Sequence, residues 1–235
     1  MNSYEFDVMI IGSGIAGLSA AIKLGEGGLR VGIITREDDP KVSNTYWAQG
    51  GIIYLKENDE LFIQDVLNAS AGTSNLSAAN LLLKSSGNIL EDTLIKKAKT
   101  DFMRNEKGSL KFTREAAHSC ERILYKGDFT GKEIQISLLN YIKDKNRFPN
   151  ITILTSHTAI DLITPLHHGI SIQQRYEENK VVGSYLLDQK NGKVKKALAH
   201  TTILATGGIG ALYLHHSNSE GARGDGHAMA KRAGA

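Results

Sequence analysis

Two stretches of this sequence hold residues whose types and spacing invite chemistry. The first is "IIGSGIAGLSAA", where Gly12, Gly14 and Gly17 form G-x-G-x-x-G around Ser13, Ile15 and Ala16. No side chain there is reactive; the chemistry lies in bare backbone. Gly12 permits a sharp turn, Gly14 lets a pyrophosphate approach the main chain, and Gly17 lets a helix pack closely on a strand. A helix starting there aims N–H groups and a partial positive charge at the phosphates. The second stretch, "SNTYWAQGGI", spends the only tryptophan, Trp47, beside Gln49, Gly50 and Gly51. Surface loops seldom do that, so this one is expected to wrap around something.

These residues need elements to position them. Val8 to Ile11 is a β-rich apolar run, read as a strand buried on both faces. A helical pattern runs from Ile15 to Leu24, Gly27 and Gly28 end it, and Val31 to Thr35 is the next strand. A glycine fingerprint alone is weak, but this strand, turn, helix and strand around it make a nucleotide-binding unit the expectation. The acid that would hold ribose hydroxyls at the end of the second strand is missing. Thr35 and Arg36 stand there, with Glu37 and Asp38 just beyond. That argues against a plain NAD site and leaves FAD open.

Further along, Ser77 starts an expected amphipathic helix with Ala78, Leu81, Leu82, Ser85, Ile89, Thr93 and Leu94 at helical spacing. Thr130 and Glu133 read as a capping box opening a helix from Lys132 to Lys143, with Ile134, Leu138, Tyr141 and Ile142 as its stripe. "ITILTS", from Ile151, is a strand expected to run parallel to the first two. The segment from about 164 to 200 reads as an antiparallel meander laid over the parallel sheet, with a hairpin turn at Asn191-Gly192. Thr202 to Ala205 returns to the sheet. Its end, Thr206-Gly207-Gly208, puts side-chain-free backbone where such folds bind ligands. The expected fold class is α/β, a Rossmann-like parallel sheet with an antiparallel meander, forming one domain over residues 1–235.

Bulk properties narrow the function classes. At 41% hydrophobic and 23% charged residues, the composition is that of a soluble globular protein. The net charge of +3 is spread out, so no nucleic acid is expected as a partner. The basic run Lys96, Lys97 and Lys99 falls at a helix end, where cations complement the backbone dipole. A single cysteine, Cys120, leaves no internal disulfide, fits a reducing compartment, and reads as a small buried side chain. The pairs His167-His168 and His215-His216 lack cysteine or carboxylate companions at ligand spacing, so no metal is assigned. The start of the chain lacks the basic region of a secretory signal. The uncharged run from Val8 to Ile22 is too short and glycine-rich to span a bilayer, so no membrane is expected.

Five stretches in one order carry a resemblance: "IIGSGIAGLSAA", "SNTYWAQGGI", "FTREAAHSCERILYKGDFTG", "ILATGGIG" and "GARGDGHAMAKRAGA". Together they resemble the succinate dehydrogenase and fumarate reductase flavoprotein family, and within it the L-aspartate oxidases most. The resemblance covers nearly the whole chain and is least distinctive near residues 170–200. It implies that FAD is the cofactor, with Asn44, Thr45, Tyr46, Trp47, Ala48, Gln49, Gly50 and Gly51 wrapping the flavin. Bare Gly50 and Gly51 suit a planar ring, Gln49 can hydrogen-bond ring heteroatoms, and Thr45 offers phosphate a hydroxyl. Tyr46 and Trp47 equally suit a core-filling role. Arg36, Thr206, Gly207 and Gly208 complete the cofactor set, and Asp225 in "GDG" would meet the ribityl region. Respiratory relatives carry a histidine at the position of Asn44, bonded covalently to flavin. Asparagine cannot form that bond, so noncovalent FAD is expected.

The motif "TREAAHS" resembles the stretch in which L-aspartate oxidases orient their substrate, and its glutamate is Glu115. A carboxylate suits an ammonium-bearing substrate and repels a dicarboxylate that lacks one. Arg114, His118 and Arg122 are candidates for holding substrate carboxylates, or for pairing with nearby acids instead. The resemblance implies oxidation of L-aspartate to iminoaspartate in the cytoplasm, with oxygen or fumarate reoxidising the flavin. The product would feed quinolinate and NAD synthesis, with quinolinate synthase as a further partner. Two alternatives stay open: a fumarate reductase-like flavoprotein with noncovalent FAD, and a non-catalytic FAD-binding fragment. "HAMAKRAGA" stops partway along an apparent helix, whereas family members are much longer. A capping domain and a C-terminal helical domain, carrying the proton-handling arginine, are expected outside this sequence. The chain alone is expected to bind FAD weakly and not to turn over.

Overall fold

The computed structural model describes residues 3–55, 59–169 and 171–235, which divide into two compact units. Residues up to 45 join with 142–235 in the first, and residues 46–141 form the second. The first unit opens with β1 (Ser3–Ile11), α1 (Ile15–Glu26) and β2 (Val31–Ile34). Every residue of β2 and the last four of β1 are buried, as continuous apolar runs in a covered parallel sheet require. Helix α1 turns Gly17, Leu18, Ala21, Ile22 and Gly25 inward, a spacing that keeps one face against its neighbours.

The second unit follows, with β3 (Ile52–Ile53), α2 (Glu60–Ala69), α3 (Leu76–Leu90), a π-helical turn (Glu91–Lys97), β4 (Phe112–Thr113), β5 (Ile123–Leu124) and α4 (Thr130–Lys143). Its sheet is three short antiparallel strands in the order β3-β5-β4. Asp59 caps α2 through the Phe62 N–H, and Asn75 caps α3 through the Ala78 N–H. The π-helical turn accounts for the basic run. Lys96 pairs with Glu91 at 2.9 Å and Lys97 with Asp92 at 2.6 Å, five residues apart, as the wider helix brings them into line.

The chain then returns to the first unit with β6 (Ile151–Leu154), β7 (His157–Ile163), β8 (Gly183–Asp188), β9 (Lys193–Leu204) and α5 (Asp225–Arg232). One sheet of six strands results, in the order β6-β2-β1-β9-β8-β7. β6, β2, β1 and β9 are mutually parallel, and β7, β8 and β9 are antiparallel. The core under it gathers Phe6, Met9, Ile11, Ile34, Leu162, Leu186, Ala197, Ala199 and Met229. Among the described residues no helix is long and apolar enough to cross a membrane.

Four expectations need correction. The meander does not lie over the parallel sheet but continues it, because β9 is long enough to pair with β8 along its first half and β1 along its second. Its strands are 157–163, 183–188 and 193–204; Pro165–His168 and Ile172–Arg175 are helical turns instead, and Ile170 lies outside the described residues. Thr130 forms no capping box: its hydroxyl accepts the Lys126 N–H, and the Glu133 carboxylate accepts the Ser137 hydroxyl. The stripe expected on α3 is largely exposed at Leu81, Leu82 and Ile89, while Ala79, Leu90 and Leu94 are the buried residues. Cys120 is half-buried rather than buried.

Candidate functional site

In the first unit, backbone geometry makes a cradle at the C-terminal end of β1. Gly12 has φ +121°, and a Cβ there would lie 2.1 Å from the Ala205 carbonyl oxygen. A Cβ on Gly17 would lie 2.1 Å from the Gly12 carbonyl oxygen. Both positions therefore admit only glycine, which lets β1, the end of β9 and α1 meet. Gly14 differs: its nearest neighbour would be the Thr45 Oγ1, at 3.3 Å, so it keeps the turn open rather than closing a contact. The Ile15 N–H donates to that same Thr45 Oγ1 at 3.0 Å. Helix α1 begins with no side-chain cap and no acid in its first turn, so nothing of like charge opposes an anion there. Ser13 is buried and Ala16 exposed.

The other cofactor candidates of this unit gather around the same turn. Asn44 accepts the Ser219 N–H through Oδ1 at 2.8 Å, and its Nδ2 would be 3.9 Å from a Cβ on Gly207. Gly207 is left-handed at φ +77°, and Gly208 faces open space. Thr206 packs where a Cβ on Gly226 would sit, 2.0 Å from its Oγ1. Asp225, the first residue of α5, pairs with Arg223 at 2.9 Å and with Arg36 at 3.8 Å. Arg36 also pairs with Glu37 at 2.8 Å. These residues fit a dinucleotide: an uncapped helix N-terminus, bare backbone and a threonine hydroxyl for phosphates, with polar side chains beside them.

In the second unit, Tyr46 and Trp47 meet edge to face at 5.0 Å, and Trp47 is 60% exposed. The Ala48 carbonyl accepts the Gly131 N–H at 2.9 Å. Gln49 and Gly50 line an open cleft of about 340 Å³ with Thr113, Glu115, Tyr125, Gly127 and Asp128. Both carboxylate oxygens of Glu115 would lie 3.4 Å from a Cβ on Gly50. Gly51 has a nearer structural reason, since a Cβ there would lie 2.1 Å from the Ile123 side chain on β5. Among the described residues, the cleft lining carries two carboxylates and no cation. It suits a positively charged group.

The loop bearing Glu115 is braced from behind. The His118 N–H donates to the Glu115 carbonyl at 3.2 Å, and Ala117 between them is left-handed at φ +69°. A non-glycine residue adopts that region only where its surroundings hold it. Asp65 accepts both the N–H and the hydroxyl of Ser119, at 2.9 and 3.0 Å. Arg122, 3% exposed, uses all five of its N–H donors. Two go to Asp59 at 2.9 and 3.2 Å, one to Asp65 at 2.5 Å, one to His118 Nδ1 at 3.0 Å and one to Cys120 Sγ at 2.9 Å. No donor is left for a substrate, so Arg122 belongs to the scaffold. The Ser119 N–H first, and Arg122 next, hold the Asp65 carboxyl at about 2, well below the usual carboxylate range. Arg114 is exposed, with no hydrogen bond or ion pair among the described residues.

Sequence reasoning missed Asp59, Asp65 and Asp128. Asp59 carries a readable signal as an acid just before an apolar helix. Nothing in the sequence ties Asp65 to a residue 57 positions away.

A family profile described as an FAD binding domain matches residues 7–235. The chain is 38% identical, over 98% of its length, to L-aspartate oxidase 1 of Ralstonia nicotianae and covers 42% of that protein. It is 38% identical to the L-aspartate oxidase of Acinetobacter baylyi over 99% of its length, covering 41% of that protein. Among solved structures, the Mycobacterium smegmatis Sdh1 complex in the apo form superposes with a TM-score of 0.86 at 26% identity, covering all of this chain and 39% of that one. The chain thus spans about two-fifths of the length of the curated relatives it matches.

Proposed function

The chain belongs to the FAD-binding domain family, and from that premise we propose that it supplies the cofactor-holding and amine-orienting part of an L-aspartate oxidase. FAD is its cofactor, and when bound it supplies the hydride acceptor that the oxidation of L-aspartate to iminoaspartate requires. Gly12, Ser13, Gly14, Ile15, Ala16, Gly17 and Thr45 hold the phosphates through backbone and hydroxyl. Arg36, Thr206, Gly207, Gly208 and Asp225 serve the rest of the dinucleotide, and the loop from Tyr46 to Gly51 serves the ring. Asn44 has no nucleophilic nitrogen for a flavin bond, and its Oδ1 is already occupied by Ser219, which supports noncovalent FAD.

One observation carries the substrate reading: Glu115 lies in a cleft whose described lining is anionic and holds no cation. An α-ammonium is attracted there, whereas succinate offers it only negative charge. The carboxylates of the substrate need donors other than that lining. Steady turnover is therefore not expected of the 235-residue chain on its own, and a sustained rate of aspartate oxidation would overturn that expectation. Oxygen or fumarate is the proposed electron acceptor, quinolinate synthase a proposed consumer of the product, and the cytoplasm the proposed compartment. The test is anaerobic: L-aspartate is expected to perturb or bleach the flavin band of the FAD-loaded chain, with no response to succinate. Glu115→Gln should abolish the response. An equal response to both ligands would sink the reading and favour a dicarboxylate enzyme.

A further inference from the structure

We propose that Arg122 is a positioning residue that sets the tautomer of His118, and that His118 presents its Nε2–H to a carboxylate of the ligand. Arginine can only donate, so the 3.0 Å contact between an Arg122 terminal nitrogen and His118 Nδ1 makes Nδ1 the acceptor. The ring proton must then sit on Nε2. Arg122 has no freedom to turn away, because Asp59 takes two of its donors, Asp65 a third and Cys120 a fourth. Asp65 also grips Ser119, the next residue after His118, through backbone and hydroxyl. The imidazole is thus held from both its ring nitrogen and its neighbouring backbone. Its Nε2 has no partner among the described residues. A neutral, directed donor with nothing to bind is suited to an anionic oxygen.

The turn that closes on the Glu115 carbonyl puts this donor and the Glu115 carboxylate on one short loop. An α-amino acid carries its ammonium and a carboxylate on one carbon, the pair of charges such a loop can read. This ligand assignment rests on the proposed amine substrate, but the tautomer does not.

The test uses the FAD-loaded chain with 15N-labelled histidine, and reads the imidazole nitrogens by long-range proton–nitrogen correlation. His118→Gln identifies the His118 signals by their loss. Wild-type protein is expected to show Nε2–H over Nδ1–H in at least about tenfold excess, as a charge-assisted hydrogen bond to Nδ1 imposes. Arg122→Lys keeps a donor and should retain the bias; if that variant fails to fold, the wild-type spectrum still decides. L-aspartate, which offers a carboxylate, should move the Nε2 resonance and leave Nδ1 in place. A proton on Nδ1, or a near-equal mixture, overturns the positioning role of Arg122. An unmoved Nε2 with the expected tautomer overturns the carboxylate assignment. If the tautomer and the Nε2 response hold while the flavin fails to tell aspartate from succinate, the amine reading alone has failed.

Discussion

In the unit built on the six-stranded sheet, the cofactor candidates are placed by backbone: strand ends, helix starts and glycines that admit no other residue. In the unit of residues 46–141, strands are two residues long, and the Glu115 loop is held by charged side chains converging on one buried arginine. A close-packed backbone tolerates no added atom, whereas a charge network tolerates no missing partner. The two units should therefore fail differently.

The largest effect is expected from Arg122→Met, which strands Asp59 and Asp65 together without their cation. Removing one partner of a buried ion pair costs about 3–5 kcal/mol. Chemical denaturation should show that loss, and a change below about 1 kcal/mol would mean that the charges do not hold this unit. Gly17→Ala comes next. Its Cβ would overlap the Gly12 carbonyl, an overpacking that costs about 1–3 kcal/mol and pushes α1 away from the turn. Flavin retained through gel filtration should fall sharply for this variant. Retention at the wild-type level would mean that the cradle is not built on that contact.

Acid should separate the units further. The folded Asp65 carboxyl titrates at about 2, below the 3.8 usual for an unfolded aspartate. Its stabilising contribution is therefore complete above the unfolded value and is lost as pH falls from about 4 through 2. That shift corresponds to about 2 kcal/mol. Asp65→Asn should flatten this limb of the stability profile, and an unchanged limb would contradict the assignment.

Smaller effects mark the limits of the comparison. Lys97→Ala removes an ion pair at the surface of the π-helical turn and should cost under about 1 kcal/mol, less in high salt. Leu82→Lys, at an exposed position of α3, should stay within about 0.5 kcal/mol of wild type in the isolated chain, although its periodicity suggests a core residue. A larger loss would show that this side chain is covered in solution.

Much of the first unit was legible because its signals are local. Strand, glycine turn, helix and strand occupy consecutive residues, and Gly12 and Gly17 each have a steric reason to be there. The second unit was legible only in part. Glu115 came from a resemblance carried by "TREAAHS". The same motif left Arg122 open between substrate binding and pairing with an acid, and its partners Asp59 and Asp65 lie 63 and 57 residues away. Apolar spacing on α3 gave a helix correctly and its buried face wrongly, since period reports which residues share a face and not what lies opposite.

By itself, the sequence determined the α/β class and the nucleotide-binding turn, because those depend on contacts between near neighbours and on backbone that only glycine permits, whereas FAD came from the family resemblance. Tertiary structure decided that the meander extends the sheet, that Arg122 is spent on scaffold, and that His118 turns Nδ1 to Arg122. Those outcomes depend on which distant groups meet in space, and hydrogen-bond donors are assigned only when their partners arrive.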